Sequence, residues 1–235
     1  IENEHWWFAA RQSILWEFIR KQLKTPVGSR LLDVGCGTGA VLDMLSKQFD
    51  VFGQDVSAQA VAFCRERGLK NVFCGPVDRV VPRDKPFDLA TTFDVLEHID
   101  DDVGTLKQIH GLLREEGKVL ITVPAFPLLW GPHDVVTHHK RRYVKSTLRS
   151  VVEAASFEVE YMTYFNFFLL PVAIVRRTVA KVVGGDTGAD LEMPPRALNA
   201  VLRAVFESEK WLLPAVKFPL GLSLLCVGRK LTPIR

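Results

Sequence analysis

The chain has 235 residues and a formal net charge of +3, and 48% of its residues are hydrophobic and 24% are charged. This composition excludes global disorder and is typical of one large globular domain. The weak positive charge does not by itself indicate nucleic-acid binding. The four cysteines form no CxxC pair, so we expect reduced thiols in a cytosolic protein. The first residues lack the pattern of a secretory signal, and no apolar run reaches the roughly 20 residues of a membrane-spanning helix.

Strands and helices alternate along most of the chain. Apolar spacing predicts a first helix over residues 14–23, which Pro26 and Gly28 end. Seven apolar runs then predict strands: RLLDV, VFGQDV, NVFC, FDLATTF, KVLITV, FEVEYMTYF and LSLLCVGRK. Ser57 and Asp101 or Asp102 are expected to cap two of the intervening helices, and Gly117 to end the second of them. Strands separated by helices predict a mostly parallel sheet covered on both faces.

Two segments interrupt this alternation within what we expect to be a single domain, residues 1–235. Residues 1–28 precede the first strand and are predicted to form a helical lid. Residues 166–221 separate the last two strands and are predicted to be a largely helical insertion that covers an acceptor pocket. Its apolar residues are followed by Arg176, Arg177 and Lys181, so contact with a membrane or lipid is a second interpretation, and a dimer interface is a third.

A glycine-rich stretch, LLDVGCGTGAVL, follows the first strand. Gly35, Gly37 and Gly39 allow backbone amides to meet a ligand directly, as they would for the pyrophosphate of a dinucleotide. Asp33 would sit poorly beside a pyrophosphate and instead suits a ligand with an amino group and a sulfonium. Asp55, at the end of the second strand, suits a ribose diol.

Four stretches, LDVGCGTG, GQDVS, FDLATTFDVLEHIDD and GKVLITVP, resemble the successive motifs of class I S-adenosylmethionine-dependent methyltransferases. The resemblance implies an α/β, Rossmann-like, seven-stranded sheet of order 3-2-1-4-5-7-6 with the last strand antiparallel. It implies S-adenosyl-L-methionine as the cofactor. The residues that the resemblance assigns to this cofactor are Arg11, Asp33, Gly35, Cys36, Gly37, Gly39, Asp55, Val56, Val77, Phe93, Asp94 and Val95.

The end of the fourth strand indicates the class of acceptor. TTFDVLEH lacks the Asn/Asp-Pro-Pro-aromatic motif of enzymes that methylate base amines, and it resembles small-molecule O- and N-methyltransferases, including those of ubiquinone biosynthesis. Some members of that class have been linked to metal binding at positions matching Asp94, Glu97 and His98. We favour local pairing of Glu97 and a pocket position for His98, and therefore expect no metal.

A second informative stretch, WGPHDVVTHHKRRY, follows the fifth strand. It resembles a segment of bacterial methyltransferases associated with glycan and cell-envelope pathways. A hydroxyl acceptor must lose a proton, and histidine is the natural base. His133, with Asp134 next to it, is the first choice, ahead of His98, His138 and His139. The residues expected to contact the acceptor are Trp7, His139, Arg141, Arg142 and Tyr143.

The sequence therefore predicts methyl transfer by in-line SN2 displacement to a small or lipid-linked acceptor, with a hydroxyl oxygen as the favoured methylated atom and a pocket histidine as the base. The predicted location is the cytoplasm or the inner face of the membrane. We expect no nucleic-acid partner. An RNA or protein methyltransferase, an NAD-dependent oxidoreductase and a silent binding protein remain as alternatives. The acceptor, the methylated atom and the oligomeric state stay open.

Overall fold

A computed structural model describes residues 2, 4–175, 193–213 and 215–231. The predicted sheet order is confirmed: seven strands lie in the order β3-β2-β1-β4-β5-β7-β6. The strands are β1 (Arg30–Val34), β2 (Asp50–Asp55), β3 (Val72–Cys74), β4 (Phe87–Phe93), β5 (Leu113–Pro124), β6 (Phe157–Phe165) and β7 (Ser223–Lys230).

Strands β1 to β5 pair in parallel, and β7 is antiparallel to both β5 and β6, as predicted. Pro124 at the end of β5 and Phe165 at the end of β6 both pair with Ser223 at the start of β7. The insertion therefore leaves and rejoins the sheet at the carboxyl edge of the parallel strands. In open α/β sheets this is the edge where ligands bind.

Helices cover the sheet. They are α1 (Trp6–Phe18), α2 (Ala40–Ser46), α3 (Ala58–Glu66), α4 (Val77–Val80), α5 (Asp102–Leu112), α6 (Pro132–Val136), α7 (Lys145–Ala154) and α8 (Arg196–Glu207). Ser57 caps α3 by accepting a hydrogen bond from the Ala60 amide, and Asp101 caps α5 by accepting one from the Gly104 amide at 2.7 Å. Both caps agree with the sequence.

Three boundaries differ by several residues from the prediction. The first helix begins at Trp6 rather than near residue 14, because the His5 side chain accepts a hydrogen bond from the Trp7 amide and caps it, and it continues as a π-helical turn, Ile19–Leu23. Helix α5 ends at Leu112 rather than at Gly117. Leu113 instead pairs with Phe87 of β4, so β5 begins earlier than the apolar run KVLITV suggests.

The N-terminal helix packs on the insertion. The Trp6 amide donates to Asn199 Oδ1 at 2.8 Å, and Ser13 Oγ donates to Glu207 Oε1 at 2.8 Å. No helix among the described residues is both long enough and apolar enough to cross a membrane. The basic residues Arg176, Arg177 and Lys181 of the predicted membrane contact lie outside the described part of the chain.

Candidate active site

The glycine loop between β1 and α2 is packed against the protein at both ends and open in the middle. Gly35, Gly37 and Gly39 all have positive φ, at 73°, 54° and 84°. A Cβ atom at Gly35 would collide with Val95, and one at Gly39 would lie 2.8 Å from Cys64 Sγ. A Cβ atom at Gly37 would meet no heavy atom within 4 Å. The loop is therefore packed at its two ends, and a ligand has room to approach its middle.

Two carboxylates border this loop in different environments. Asp33 is buried, and its Oδ1 accepts a hydrogen bond from Thr91 Oγ1 at 2.7 Å. Burial raises the pKa of Asp33 to about 7, against the opposing effect of that hydrogen bond. Asp55 Oδ2 accepts from the Gly37 amide at 2.9 Å, and Oδ1 accepts from the Ser57 amide at 2.8 Å. Asp55 thus holds the loop in shape, a role that the sequence did not reveal.

Arg11 reaches the same edge from α1. Its guanidinium is buried, lies 2.6 Å from Asp94 Oδ2 and donates to Thr122 Oγ1 at 3.1 Å. The guanidinium carbon also lies 5.2 Å from the ring centre of Trp7 and 5.6 Å from that of Phe93. These contacts fix a positive charge where the N-terminal helix meets the end of β4.

Asp94 is held in a left-handed conformation, with φ 56°, which is costly for a residue other than glycine. Its amide donates to the Thr122 carbonyl at 2.9 Å, and Thr122 Oγ1 donates to its Oδ1 at 3.1 Å. Sequence reasoning missed Thr122. The only signal was a hydroxyl in the otherwise apolar run VLITV.

A second cluster consists of Glu97, His98 and His139. The Glu97 carboxylate is fully buried, and neither of its oxygens has a hydrogen-bond partner among the described residues. His139 Nε2 lies 3.9 Å from Glu97 Oε1, and the rings of His98 and His139 are 4.7 Å apart. Burial raises the pKa of Glu97 and lowers the pKa of His98, so both groups are held toward their neutral forms.

Asp134 contacts this cluster through His139. Its Oδ1 lies 2.7 Å from His139 Nδ1 and accepts from Arg142 Nε at 2.7 Å, while its Oδ2 accepts from the Gly131 amide at 2.8 Å. Burial acts to raise the pKa of Asp134, but the hydrogen bonds from His139 and Arg142 outweigh it and keep the pKa below its usual value. Asp134 thus contacts His139, and the ring of its chain neighbour His133 lies 5.9 Å from that of His139.

Three further residues that the sequence assigned to the acceptor, Arg141, Arg142 and Tyr143, contact protein groups instead. Arg142 is buried and also donates to the Ala125 carbonyl at 3.0 Å. Tyr143 is buried and donates to Asp102 Oδ2 at 2.7 Å, and Arg141 Nη1 lies 2.9 Å from the same oxygen. A third of the Arg141 side chain remains exposed, at 34%. His138 is exposed and has a φ of 57°.

The second cluster also offers ligands for a metal. One donor atom each from Glu97, His98 and His139 lies within 4.8 Å of the others. Two imidazoles and a carboxylate suit Zn²⁺ or a similar cation, and Asp134 is placed like the outer carboxylate that orients a ligating histidine. The metal ligands considered from the sequence were Asp94, Glu97 and His98. In the structure Asp94 pairs with Arg11, and His139 is the third residue of the group. That no metal is required stays a prediction.

The residues around the glycine loop, together with Arg11, fit S-adenosylmethionine. The open middle of the glycine loop admits a ligand, the buried Asp33 suits its positive charge, and the fixed Arg11 suits its carboxylate. Asp55 lies beside Gly37, within reach of a ligand on the open side of the loop.

Comparison with known proteins agrees with this geometry. The profile of a methyltransferase-domain family matches residues 7–161. Over 147 residues the chain is 31% identical to a tRNA (carboxymethyluridine(34)-5-O)-methyltransferase of Macaca fascicularis, a match that covers 61% of this chain and 21% of that protein. Over 107 residues it is 29% identical to a ubiquinone biosynthesis O-methyltransferase of Rhodopseudomonas palustris, covering 43% and 42%. The chain thus covers less than half the length of each.

Among solved structures, phosphoethanolamine N-methyltransferase 2 of Haemonchus contortus, in complex with S-adenosyl-L-methionine, superposes with a TM-score of 0.58. The match covers 93% of this chain and 52% of that one at 19% identity, so it shows the fold alone. Together with the family match over more than half of the chain, the sheet order and the cofactor edge lead to one assignment. The chain belongs to the methyltransferase-domain family and is a class I S-adenosylmethionine-dependent methyltransferase.

Proposed function

We propose that the protein methylates a hydroxyl oxygen of a small or lipid-linked acceptor, with a histidine of the second cluster as the base. The observation that carries this proposal is the 2.7 Å contact between His139 Nδ1 and Asp134. With the Nδ1 proton donated to Asp134, the Nε2 lone pair is available to accept a proton. The sequence favoured His133; we propose His139 because Asp134 orients His139.

Nε2 of His139 is also free of competition from Glu97. The 3.9 Å separation from Glu97 Oε1 is longer than a hydrogen bond, and the raised pKa of Glu97 reduces its negative charge. His98, whose pKa is lowered, lies beside His139 and is proposed as the second proton acceptor or as a positioning group. The proposed residues around the acceptor are His98, His133, His138, His139, Trp7 and Arg141.

The cofactor supplies an electrophilic methyl group on its sulfonium when bound, and the chain supplies alignment. We assign its carboxylate to Arg11, its positive charge to Asp33 and its ribose hydroxyls to Asp55. The adenine is assigned to Val56 and Val77, and its underside to Phe93. The support is chemical: each group has the charge or polarity that its assigned partner requires.

A tRNA acceptor is the second candidate, because a relative at 31% identity is named as a tRNA methyltransferase. The first candidate predicts methyl transfer to hydroxyl-bearing small molecules or lipids, whereas the second predicts salt-dependent binding of RNA. Because that tRNA relative is named as an O-methyltransferase, the absence of a base-amine motif from TTFDVLEH is consistent with both candidates, and the binding of RNA separates them.

The test combines cofactor binding with variants of two histidines. Calorimetry should show binding of S-adenosylhomocysteine and none of NAD. An acceptor screen with radiolabelled S-adenosylmethionine should include hydroxyl-bearing small molecules, polyprenol-type lipids and tRNA. On the acceptor so found, His139→Ala should abolish turnover with unchanged S-adenosylhomocysteine affinity, and the matched His133→Ala should retain turnover. The reverse pattern would return the role of base to His133.

The membrane location that the sequence suggested is also part of the proposal. It depends on the exposed apolar residues of the insertion.

A further inference from the structure

The second cluster contains a buried carboxyl group that no described residue satisfies. Glu97 has no exposed surface, and neither of its side-chain oxygens has a hydrogen-bond partner among the described residues. Buried carboxyl groups in folded proteins are normally hydrogen-bonded, paired or bound to a cation. The 3.9 Å between Glu97 Oε1 and His139 Nε2 is too long for a hydrogen bond. The two atoms thus face each other without bonding, and a cation between them would satisfy both.

A second imidazole completes a set of three donor atoms. One donor atom each from Glu97, His98 and His139 lies within 4.8 Å of the others. A tetrahedral Zn²⁺ ion with bonds of about 2.1 Å holds its ligand atoms about 3.4 Å apart. The donor atoms therefore need to approach one another by no more than about 1.4 Å, which rotation of three side chains can supply.

Asp134 prepares His139 to bind such an ion. Its Oδ1 lies 2.7 Å from His139 Nδ1, so the other ring nitrogen, Nε2, is the one turned toward Glu97. A carboxylate on the outer nitrogen of a ligating histidine fixes the orientation of the ring and makes it a better ligand. Arg142 is buried beside the same carboxylate and pairs with it at 2.7 Å, so Asp134 neutralises the nearby positive charge.

The types of ligand indicate which cation fits. Two imidazole nitrogens and one carboxylate oxygen, with a fourth position open, are typical of Zn²⁺ sites. Mg²⁺ prefers six oxygen ligands in near-octahedral geometry, which this group does not offer. Asp94, which would add an oxygen, lies 2.6 Å from Arg11 and is paired with it. The cluster is therefore selective for Zn²⁺ over Mg²⁺.

We propose that Glu97, His98 and His139 bind Zn²⁺ and that the bound ion inhibits methyl transfer. Zinc binding displaces any proton on the Glu97 carboxyl group and uses the Nε2 lone pair of His139. The proposed base needs this same lone pair to accept the proton of the acceptor hydroxyl. The metal-free protein is therefore the active form. The inhibition rests on the function proposed above, whereas zinc binding itself can be measured without any turnover.

Zinc binding is tested on the full chain, freed of metal by EDTA and dialysis, in competition with a chromophoric zinc chelator. We expect one equivalent of Zn²⁺ to bind and a large excess of Mg²⁺ not to displace it. His139→Ala and Glu97→Gln should each weaken zinc binding by at least about a hundredfold, more than the loss of an outer partner of a ligand typically does. X-ray absorption should show nitrogen and oxygen neighbours at about 2.0–2.1 Å and no sulfur at about 2.3 Å.

Two matched controls test whether the zinc belongs to this cluster. His133→Ala removes an imidazole whose ring lies 5.9 Å from that of His139 and which is outside the group of three. Cys74→Ser removes an exposed thiol, a side chain that can bind zinc by itself. Both variants should bind zinc as the unchanged protein does. The affinity for S-adenosylhomocysteine should be the same for every variant, which separates loss of the zinc site from unfolding.

Turnover on the acceptor found by the screen tests the inhibition. Added Zn²⁺ should suppress turnover and EDTA should restore it, with unchanged S-adenosylhomocysteine affinity. The zinc site is overturned if zinc is not bound one to one, if His139→Ala binds it as the unchanged protein does, or if sulfur neighbours are found. The inhibition is overturned if bound zinc leaves turnover unchanged or raises it. If His139→Ala loses zinc binding but keeps turnover, the zinc site stands, while the proposed base and the inhibition both fail.

Discussion

Asp134 and His139 are joined by a 2.7 Å hydrogen bond, although His133 is the residue next to Asp134 in the chain. The contact forms because His138, with φ 57°, reverses the backbone after α6, and the His139 amide donates to the Asp134 carbonyl at 2.8 Å. Asp134 also contacts the buried Arg142, so one carboxylate both orients a candidate base and neutralises a buried cation.

Replacing this carboxylate should therefore have two effects. We expect Asp134→Asn to lower kcat by about a hundredfold, because His139 loses the carboxylate that fixes its tautomer, and an amide can present either a donor or an acceptor to it. It should also lower the free energy of unfolding by about 3 kcal/mol, because Arg142 is left buried without its partner. Turnover and chemical denaturation measure these two effects separately, and S-adenosylhomocysteine calorimetry checks that cofactor binding is unchanged. Asp100→Asn, at an exposed carboxylate paired with Lys140, is the control and should change little.

Asp33 should make cofactor selectivity depend on pH. Its pKa is raised to about 7 in the folded protein, so the carboxyl is protonated at mildly acidic pH and ionised above neutrality. A sulfonium favours the ionised form, whereas the neutral sulfur of S-adenosylhomocysteine does not. Between about pH 6 and pH 8 the affinity for S-adenosylmethionine should therefore rise relative to that for the demethylated product. Calorimetry with both ligands tests this, and a ratio constant across the range would contradict it.

The raised pKa of Asp33 should also make the stability of the folded protein depend on pH. Its folded-state pKa lies above the unfolded value, so the folded protein binds more protons between about pH 4 and pH 7. The contribution of Asp33 to the free energy of unfolding should fall as pH rises through that window and then level off. Denaturation of the ligand-free protein and of Asp33→Asn at several pH values isolates this contribution, which the variant should lack.

Two glycine variants should separate folding from cofactor binding. Gly37→Ala meets no protein atom within 4 Å and should cost only about 1–2 kcal/mol of backbone strain, yet it places a methyl group where the ligand approaches. Gly35→Ala must displace Val95 and should destabilise the fold more strongly. We expect a near-native denaturation midpoint with weak S-adenosylhomocysteine binding for Gly37→Ala. Unimpaired binding by that variant would place the ligand elsewhere.

We expect Arg11 to bind the carboxylate of the cofactor and to contribute little to the binding of its other groups. Arg11→Gln should weaken S-adenosylhomocysteine binding by about 10–100-fold, because a charge-assisted hydrogen bond is lost. It should leave binding of 5′-methylthioadenosine, which has no carboxylate, almost unchanged. An equal loss for both ligands would mean that Arg11 acts only by holding Asp94 and Thr122.

Chelation should leave turnover unchanged. The methyl group of a sulfonium is already electrophilic, and the proposed base is oriented by Asp134, so the reaction as proposed requires no Lewis acid. Turnover after exhaustive dialysis against EDTA, with and without added Zn²⁺ or Mg²⁺, checks this. Loss of activity restored by one cation would identify Glu97, His98 and His139 as its ligands.

Local patterns in the sequence were sufficient for the sheet and for the glycine loop. Strand FDLATTF appears with the predicted bounds, Phe87–Phe93, and Ser57 and Asp101 cap the helices that they were expected to cap. Such features depend on neighbouring residues: the period of apolar side chains, a capping side chain, or a glycine with positive φ. The order of the strands came from the family resemblance.

Contacts between distant residues required the tertiary structure. Arg11 meets Thr122 and Asp94 because the sheet brings the ends of β4 and β5 together beneath α1, a relation that no local pattern encodes. The Glu97 carboxylate is fully buried and has no hydrogen-bond partner among the described residues, which no local pattern in the sequence indicates. Local patterns and the family resemblance thus predicted the fold, the family and the edge of the sheet where the cofactor is expected. Only the folded chain decided that Asp134 orients His139, because a single left-handed residue reverses the backbone between them.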